Sequence, residues 1–151
     1  MKIALGADHA GFALKEQIKQ HLTAQGVEID DRGAASSESV DYPDFALAVG
    51  EQVARHHADL GILVCGSGIG MAMAANKVPG IRAANVTDQY QAQMSREHNN
   101  ANVLALGARL LDPADALGIV DKWLHSAFAG GRHQRRVDKI AAIEQQETTK
   151  R

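Results

Sequence analysis

The chain has 151 residues, 45% hydrophobic, 23% charged and 4% aromatic, with a formal net charge of −2. That length supports one domain with a real core. The charge balance argues against general attraction to nucleic acid or an anionic membrane, and the scarcity of aromatics against a base-stacking platform. A lone cysteine, Cys65, excludes an internal disulfide framework and points to a reducing, cytoplasmic setting. No signal peptide or apolar span of membrane length is expected.

In chain order, Lys2-Ile3-Ala4-Leu5-Gly6 reads as a strand buried on both faces. Phe12, Leu14, Ile18 and Leu22 recur at helical spacing, and Gly26 stops that helix. Val27 to Asp30 is a second short strand. Arg32 to Asp44 reads as a polar loop containing Tyr42-Pro43, since proline disfavours helix just before it. Phe45, Val49 and Val53 mark a second helix, and Leu60 to Val64 a third strand. The next helix starts at the glycine loop after Cys65, runs to about Lys77 and ends at Pro79-Gly80. Arg82 to Val86 is a fourth strand, and Asp88 caps a helix reaching about Glu97. Asn102 to Leu106 is a fifth strand. Asp112-Pro113 starts a helix with Leu117, Val120, Trp123 and Leu124 on its apolar face. Gly130-Gly131 precedes a basic C-terminal segment whose polar end is expected to fray from about Gln145.

Alternating strands and helices predict an α/β fold with a parallel sheet covered on both faces. Ligands of such sheets bind beyond the carboxyl ends of the strands, at a switch point. Asp8-His9, the Cys65 loop and Thr87-Asp88 all follow strands directly and are expected at that edge.

Cys65-Gly66-Ser67-Gly68-Ile69-Gly70 is the most informative stretch. Alternating glycines let backbone N–H groups converge on an anion, and a helix N-terminus adds its dipole. Met71 breaks two familiar patterns: it stands where a dinucleotide fingerprint needs glycine and where a Cys-x5-Arg phosphatase needs arginine. A tight strand-to-helix turn without ligand is the plain alternative. Cys65 is either a small buried hydrophobe or a thiol activated as nucleophile or base by the helix N-terminus.

Asp8 can cap the first helix, whereas His9 has no such ready structural role. His98-Asn99-Asn100 suits a helix C-terminus. No His-x3-His pair is present, and the neighbours His56 and His57 diverge on a helix, so no metal is expected. If Arg132-His133-Gln134-Arg135-Arg136 is helical, Arg132 and Arg136 share a face and can clamp a phosphate dianion; the alternative is a solvated basic tail.

Taken in order, several segments resemble one family. They are Gly6-Ala7-Asp8-His9-Ala10-Gly11-Phe12, Asp41-Tyr42-Pro43, Cys65 to Gly70, Ala75-Asn76-Lys77, Gly80-Ile81-Arg82-Ala83, Ser95-Arg96-Glu97-His98-Asn99, Asn102-Val103-Leu104 and Gly130-Gly131-Arg132-His133. The family is that of ribose-5-phosphate isomerase B and the galactose-6-phosphate isomerase subunits, and the resemblance extends to about Ile143.

The resemblance implies a single-domain, Rossmann-like three-layer sandwich over residues 1–151, with a five-stranded parallel sheet. A C-terminal helical segment, about 132–145, would reach a partner subunit in a homodimer, or in a tetramer, with shared active sites. It implies aldose–ketose isomerisation of a small sugar phosphate without metal or organic cofactor, and no nucleic-acid or membrane partner. Cys65 would be the base, Ser67 would assist proton movement between oxygens, and the N–H groups of Gly66, Gly68, Ile69 and Gly70 would hold the enediolate. Serine at 67 is a mild departure from the threonine common in ribose-phosphate members. Asp8 and His98 would handle hydroxyls and ring opening, and Asn99 would orient the sugar. His9, Arg132 and Arg136 would bind phosphate, the arginines coming from the partner subunit, with Arg109 and Tyr42 as further contacts. Ribose 5-phosphate is the leading substrate; a hexose 6-phosphate, a tetrose phosphate or a non-catalytic sugar-phosphate sensor are the alternatives.

Overall fold

A computed structural model describes all 151 residues. The strands are β1 (Lys2–Ala7), β2 (Glu28–Asp31), β3 (Leu60–Cys65), β4 (Ala83–Asn85) and β5 (Val103–Gly107). They form one sheet in the order β2-β1-β3-β5-β4, and every neighbouring pair is parallel. The helices are α1 (Phe12–Ala24), α2 (Tyr42–Ala54), α3 (Ile69–Ala75), α4 (Gln89–Glu97), α5 (Pro113–Leu124) and α6 (Arg132–Thr149). This is the three-layer α/β sandwich that the alternating pattern predicts.

Strand residues alternate between two apolar layers. Ile3, Leu5, Ile62, Val64, Leu104 and Leu106 pack against α1, α4 and α5, with Trp123 fully buried among them. Ala4, Leu63, Cys65, Val103 and Ala105 face α2 and α3. Parallel strands buried on both sides read as nearly continuous apolar runs, which is why β1, β3 and β5 stood out in the sequence. No helix is long and apolar enough to cross a membrane.

Some boundaries differ from expectation. Tyr42-Pro43 opens α2 instead of closing a loop, with Asp41 at the N-cap. Proline's missing N–H and fixed φ suit the first helical turn, so the loop ends earlier. Asp112 stands at the N-cap of α5 without a side-chain capping bond, whereas the Asp88 carboxylate accepts the Gln91 N–H at 2.7 Å. Helix α6 does not fray at Gln145 but continues to Thr149.

One buried ion pair ties α1 to the outer strand β2. Lys15, only 1% exposed, donates to both carboxylate oxygens of Asp31 at 2.8 Å and to Glu16 at 2.9 Å. Burial raises the Asp31 pKa, but hydrogen bonds from Lys15, the Gly33 N–H and Lys19 outweigh it and hold the carboxyl below its ordinary value.

Candidate active site

Strand order reverses beside β1: the chain passes from β1 to β2 on one side, then to β3 on the other. The crevice beyond the carboxyl ends of β1 and β3 is therefore the switch point. Ala7 is in register with Val64, and Cys65 with Gly107, which brings Asp8, the Cys65 loop and Arg109 to one edge.

The loop after Cys65 is built around the thiol. Gly68 has φ +80°, a left-handed conformation, and its N–H donates to Cys65 Sγ at 3.2 Å. The Ser67 hydroxyl accepts the Ile69 N–H at 3.2 Å. No protein group accepts from the N–H groups of Gly66, Ser67, Gly70 or Met71. Four backbone donors are therefore left to meet negative charge beside a thiol that is itself hydrogen-bonded. Such oriented donors stabilise a developing oxyanion at no reorganisation cost.

Other predicted residues line the same edge. Asp8 is buried, and its Oδ1 accepts the Gly11 N–H at 3.0 Å, closing the turn into α1. This is the structural reading of Asp8, and its Oδ2 carries no protein hydrogen bond. The Val40 N–H donates to His9 Nδ1 at 3.2 Å. Nδ1 is an acceptor in that bond, so the neutral ring presents Nε2–H outward. The Tyr42 ring lies against Gly70, where an added Cβ would come within 2.5 Å of Cε1. Arg109 lies over Gly66, its Nη1 3.0 Å from where a Cβ would stand.

His98, Asn99, Arg132 and Arg136 form a second group elsewhere. Helix α4 runs antiparallel to the strands, so its end lies at the amino edge of the sheet. The Gly61 N–H, at the start of β3, donates to Asn102 O just after that turn. Gly61 and Cys65 are four residues apart along β3, about 13 Å of extended chain. The first turn of α6 joins this group, because His133 stacks on His98 with ring centroids 4.2 Å apart. Within one chain, the Cys65 edge and the His98 group occupy opposite ends of the sheet. No three His, Cys, Asp or Glu side chains lie close enough together to share a metal ion.

Two residues that hold the His98 turn were not singled out from the sequence. Arg82 donates through Nε to the Asn99 and Asn100 carbonyls, and through Nη2 to Asn100 O at 2.8 Å. Arg96 donates to the Asn100 side chain at 3.2 Å and stacks over the Trp123 ring. Burial, and then the charge of Arg82, pulls the Arg96 pKa below its ordinary value. The Gly80-Ile81-Arg82-Ala83 and Ser95-Arg96-Glu97 segments carry these arginines, but nothing local in them indicates that guanidinium groups clamp carbonyls.

The ribose/galactose isomerase family matches residues 3–140 of the chain. Ribose-5-phosphate isomerase B of Escherichia coli (strain K12) is 52% identical over 144 residues, 95% of this chain and 97% of that protein. D-erythrulose-4-phosphate isomerase of Pectobacterium atrosepticum is 43% identical over 148 residues, 97% of each. The structure of Clostridium thermocellum ribose-5-phosphate isomerase B superposes with a TM-score of 0.97 at 54% identity, covering 97% of this chain and 99% of that one. That of Mycoplasma genitalium ribose-5-phosphate isomerase B, with bound ribulose-5-phosphate, gives 0.92 at 44% identity, covering 95% and 96%. The match begins in β1, takes in the glycine loop and the His98 turn and ends inside α6, and the chain belongs to the ribose/galactose isomerase family.

Proposed function

We propose that the protein is an aldose–ketose isomerase that interconverts ribose 5-phosphate and ribulose 5-phosphate through an enediolate. The observation that carries this reading is the hydrogen-bonded Cys65 thiol beside four unengaged backbone donors. Cys65, as thiolate, takes the C2 proton of the open-chain aldose and returns it to C1. The loop N–H groups hold the negative oxygen of the enediolate, and the Ser67 hydroxyl passes the proton between O1 and O2. Removing a proton next to a carbonyl needs both a positioned base and oriented donors, and one loop supplies both. Asp8 and His98 open the furanose ring and Asn99 orients it. His9 Nε2–H, Arg132, Arg136 and Arg109 hold the phosphate, and Tyr42 walls the sugar. The remote phosphate supplies binding energy that fixes the reacting carbons.

The opposite positions of the Cys65 edge and the His98 group support a homodimer. In it, His98, Asn99, Arg132 and Arg136 of one subunit complete the Cys65 edge of the other. Helix α6 buries only Val137 and leaves Ile140 and Ile143 exposed, beside a groove of about 930 Å³ along β4. That apolar face suits a second subunit, and sedimentation distinguishes a dimer from a tetramer of such dimers. The single thiol is consistent with a cytoplasmic setting.

A second substrate is favoured by the likeness to a D-erythrulose-4-phosphate isomerase: the same chemistry on a four-carbon phosphate. The deciding experiment is a panel of four-, five- and six-carbon aldose phosphates assayed with chelator present. Ribose 5-phosphate should give ribulose 5-phosphate with the highest kcat/KM. Turnover of another member alone overturns the substrate, and turnover of none overturns the reaction.

A further inference from the structure

Helix α6 is led back onto the end of α4. The Ala129 N–H donates to Glu97 O at 3.0 Å, and Gly130 and Gly131, both with positive φ, turn the chain into α6. His133, in the first turn of α6, then lies flat on His98, the residue that closes α4. The ring centroids are 4.2 Å apart and the planes 10° from parallel. Both rings are half-buried.

We propose that His133 is a positioning residue for His98: a flat aromatic shelf that fixes the plane of the His98 imidazole, and so the direction in which its nitrogens meet the sugar ring. This rests on the reading of His98 as a group that opens the furanose.

Stacked rings attract when at least one is neutral, through face contact or a cation over a π-system, and repel when both are charged. Several charged groups surround the pair. Arg132 and Arg136 flank His133 on α6, whose positive dipole end lies at this turn. Arg96 and Glu97 belong to the last turn of α4, and Arg82 reaches the Asn99 and Asn100 carbonyls from the β4 side. Desolvation, His98, Arg132 and Arg136 together lower the His133 pKa from its ordinary value. The shift disfavours charge on His133, the condition under which its ring stacks on His98 without repulsion. A lysine or arginine at 133 would repel the phosphate-binding arginines from within their own turn, and an aliphatic residue would give His98 no flat face.

Two assays separate ring opening from proton transfer. Ribose 5-phosphate enters as a closed ring, and its conversion needs ring opening. Ribulose 5-phosphate is already open, and exchange of its C1 hydrogen with D2O, followed by NMR, needs only proton abstraction. His133→Ala should lower kcat/KM for ribose 5-phosphate about tenfold while exchange stays within about twofold of the parent. His133→Phe keeps a flat neutral ring and should recover most of the loss. Equal loss in both assays, no loss in either, or a Phe variant as poor as the Ala variant overturns the shelf. His98→Ala is the control for the underlying reading. If it spares ribose 5-phosphate conversion, the role of His98 fails; if it blocks conversion selectively while His133→Ala does nothing, only the shelf fails.

Discussion

Gly68 donates its backbone hydrogen to the Cys65 sulfur across 3.2 Å, a bond that the left-handed φ of Gly68 makes possible. That contact orients the sulfur at the mouth of the glycine loop, where a positioned base is needed. Cys65→Ala should cut turnover about a thousandfold or more, the scale of a lost general base. Binding of ribose 5-phosphate, measured by calorimetry, should survive. A fully active Ala variant would remove Cys65 from the mechanism.

Gly70 leaves room for the Tyr42 ring, and a Cβ there would stand 2.5 Å from Cε1. Gly70→Ala should destabilise by about 1–3 kcal/mol through overpacking and raise KM by pushing Tyr42 off the wall of the site. Adding Tyr42→Ala should relieve most of the stability loss, because the two changes share one contact. Denaturant melts of both single variants and the double variant measure the coupling; strict additivity would show that the ring simply moves aside.

Arg82 makes its hydrogen bonds to the Asn99 and Asn100 carbonyls with a planar fork that lysine lacks. Arg82→Lys should cost about 1–3 kcal/mol and lower activity by loosening the turn that carries His98. Thermal melts and kcat together test this; an unchanged melting point would show that the turn needs no clamp.

Asp31 is held below its ordinary pKa in the folded protein. The unfolded chain therefore binds the proton more readily, and the stabilisation is present above about pH 4 and lost as pH falls through the folded value. Asp31→Asn should cost about 3 kcal/mol at neutral pH, because Lys15 stays buried with only Glu16 as partner. The gap between variant and parent in urea midpoint should narrow below about pH 4; a gap independent of pH would show that charge is not its source.

Mixing Cys65→Ala with Arg136→Ala subunits tests the shared site. Each mixed dimer holds one intact site and one doubly defective site, and half of randomly paired dimers are mixed. About a quarter of the parent activity should return on subunit exchange. No recovery after demonstrated exchange would mean that Cys65 and Arg136 act from the same chain.

Much of this was legible because β1, β3 and β5 are apolar runs bounded by glycine, polar residues or a cap. The Cys65 loop was legible because Met71 spoils its two commonest rivals. Other features depend on tertiary context. The order β2-β1-β3-β5-β4 leaves no local trace, and the carbonyl grip of Arg82 spans residues far apart in sequence. The length of α6 was underestimated because polar residues after Ile143 suit a solvent-facing helix as well as a frayed tail. From the sequence, only the arginines of α6 were assigned to a partner subunit. The strand–helix alternation also puts His98 and Asn99 at the far edge, since a residue that ends a crossover helix cannot lie beside one that ends a strand.

β3 and β5 lie between the Cys65 edge and the His98 group, and their residues are packed from both faces. Such a slab has no hinge. In the proposed homodimer, no loop closure or domain swing within one molecule would carry His98 round to Cys65, and assembly would take the place of the closing motion that other enzymes make with each turnover. On this reading the site is pre-closed, its shape is set once when two chains meet, and catalytic competence becomes a matter of how concentrated the protein is.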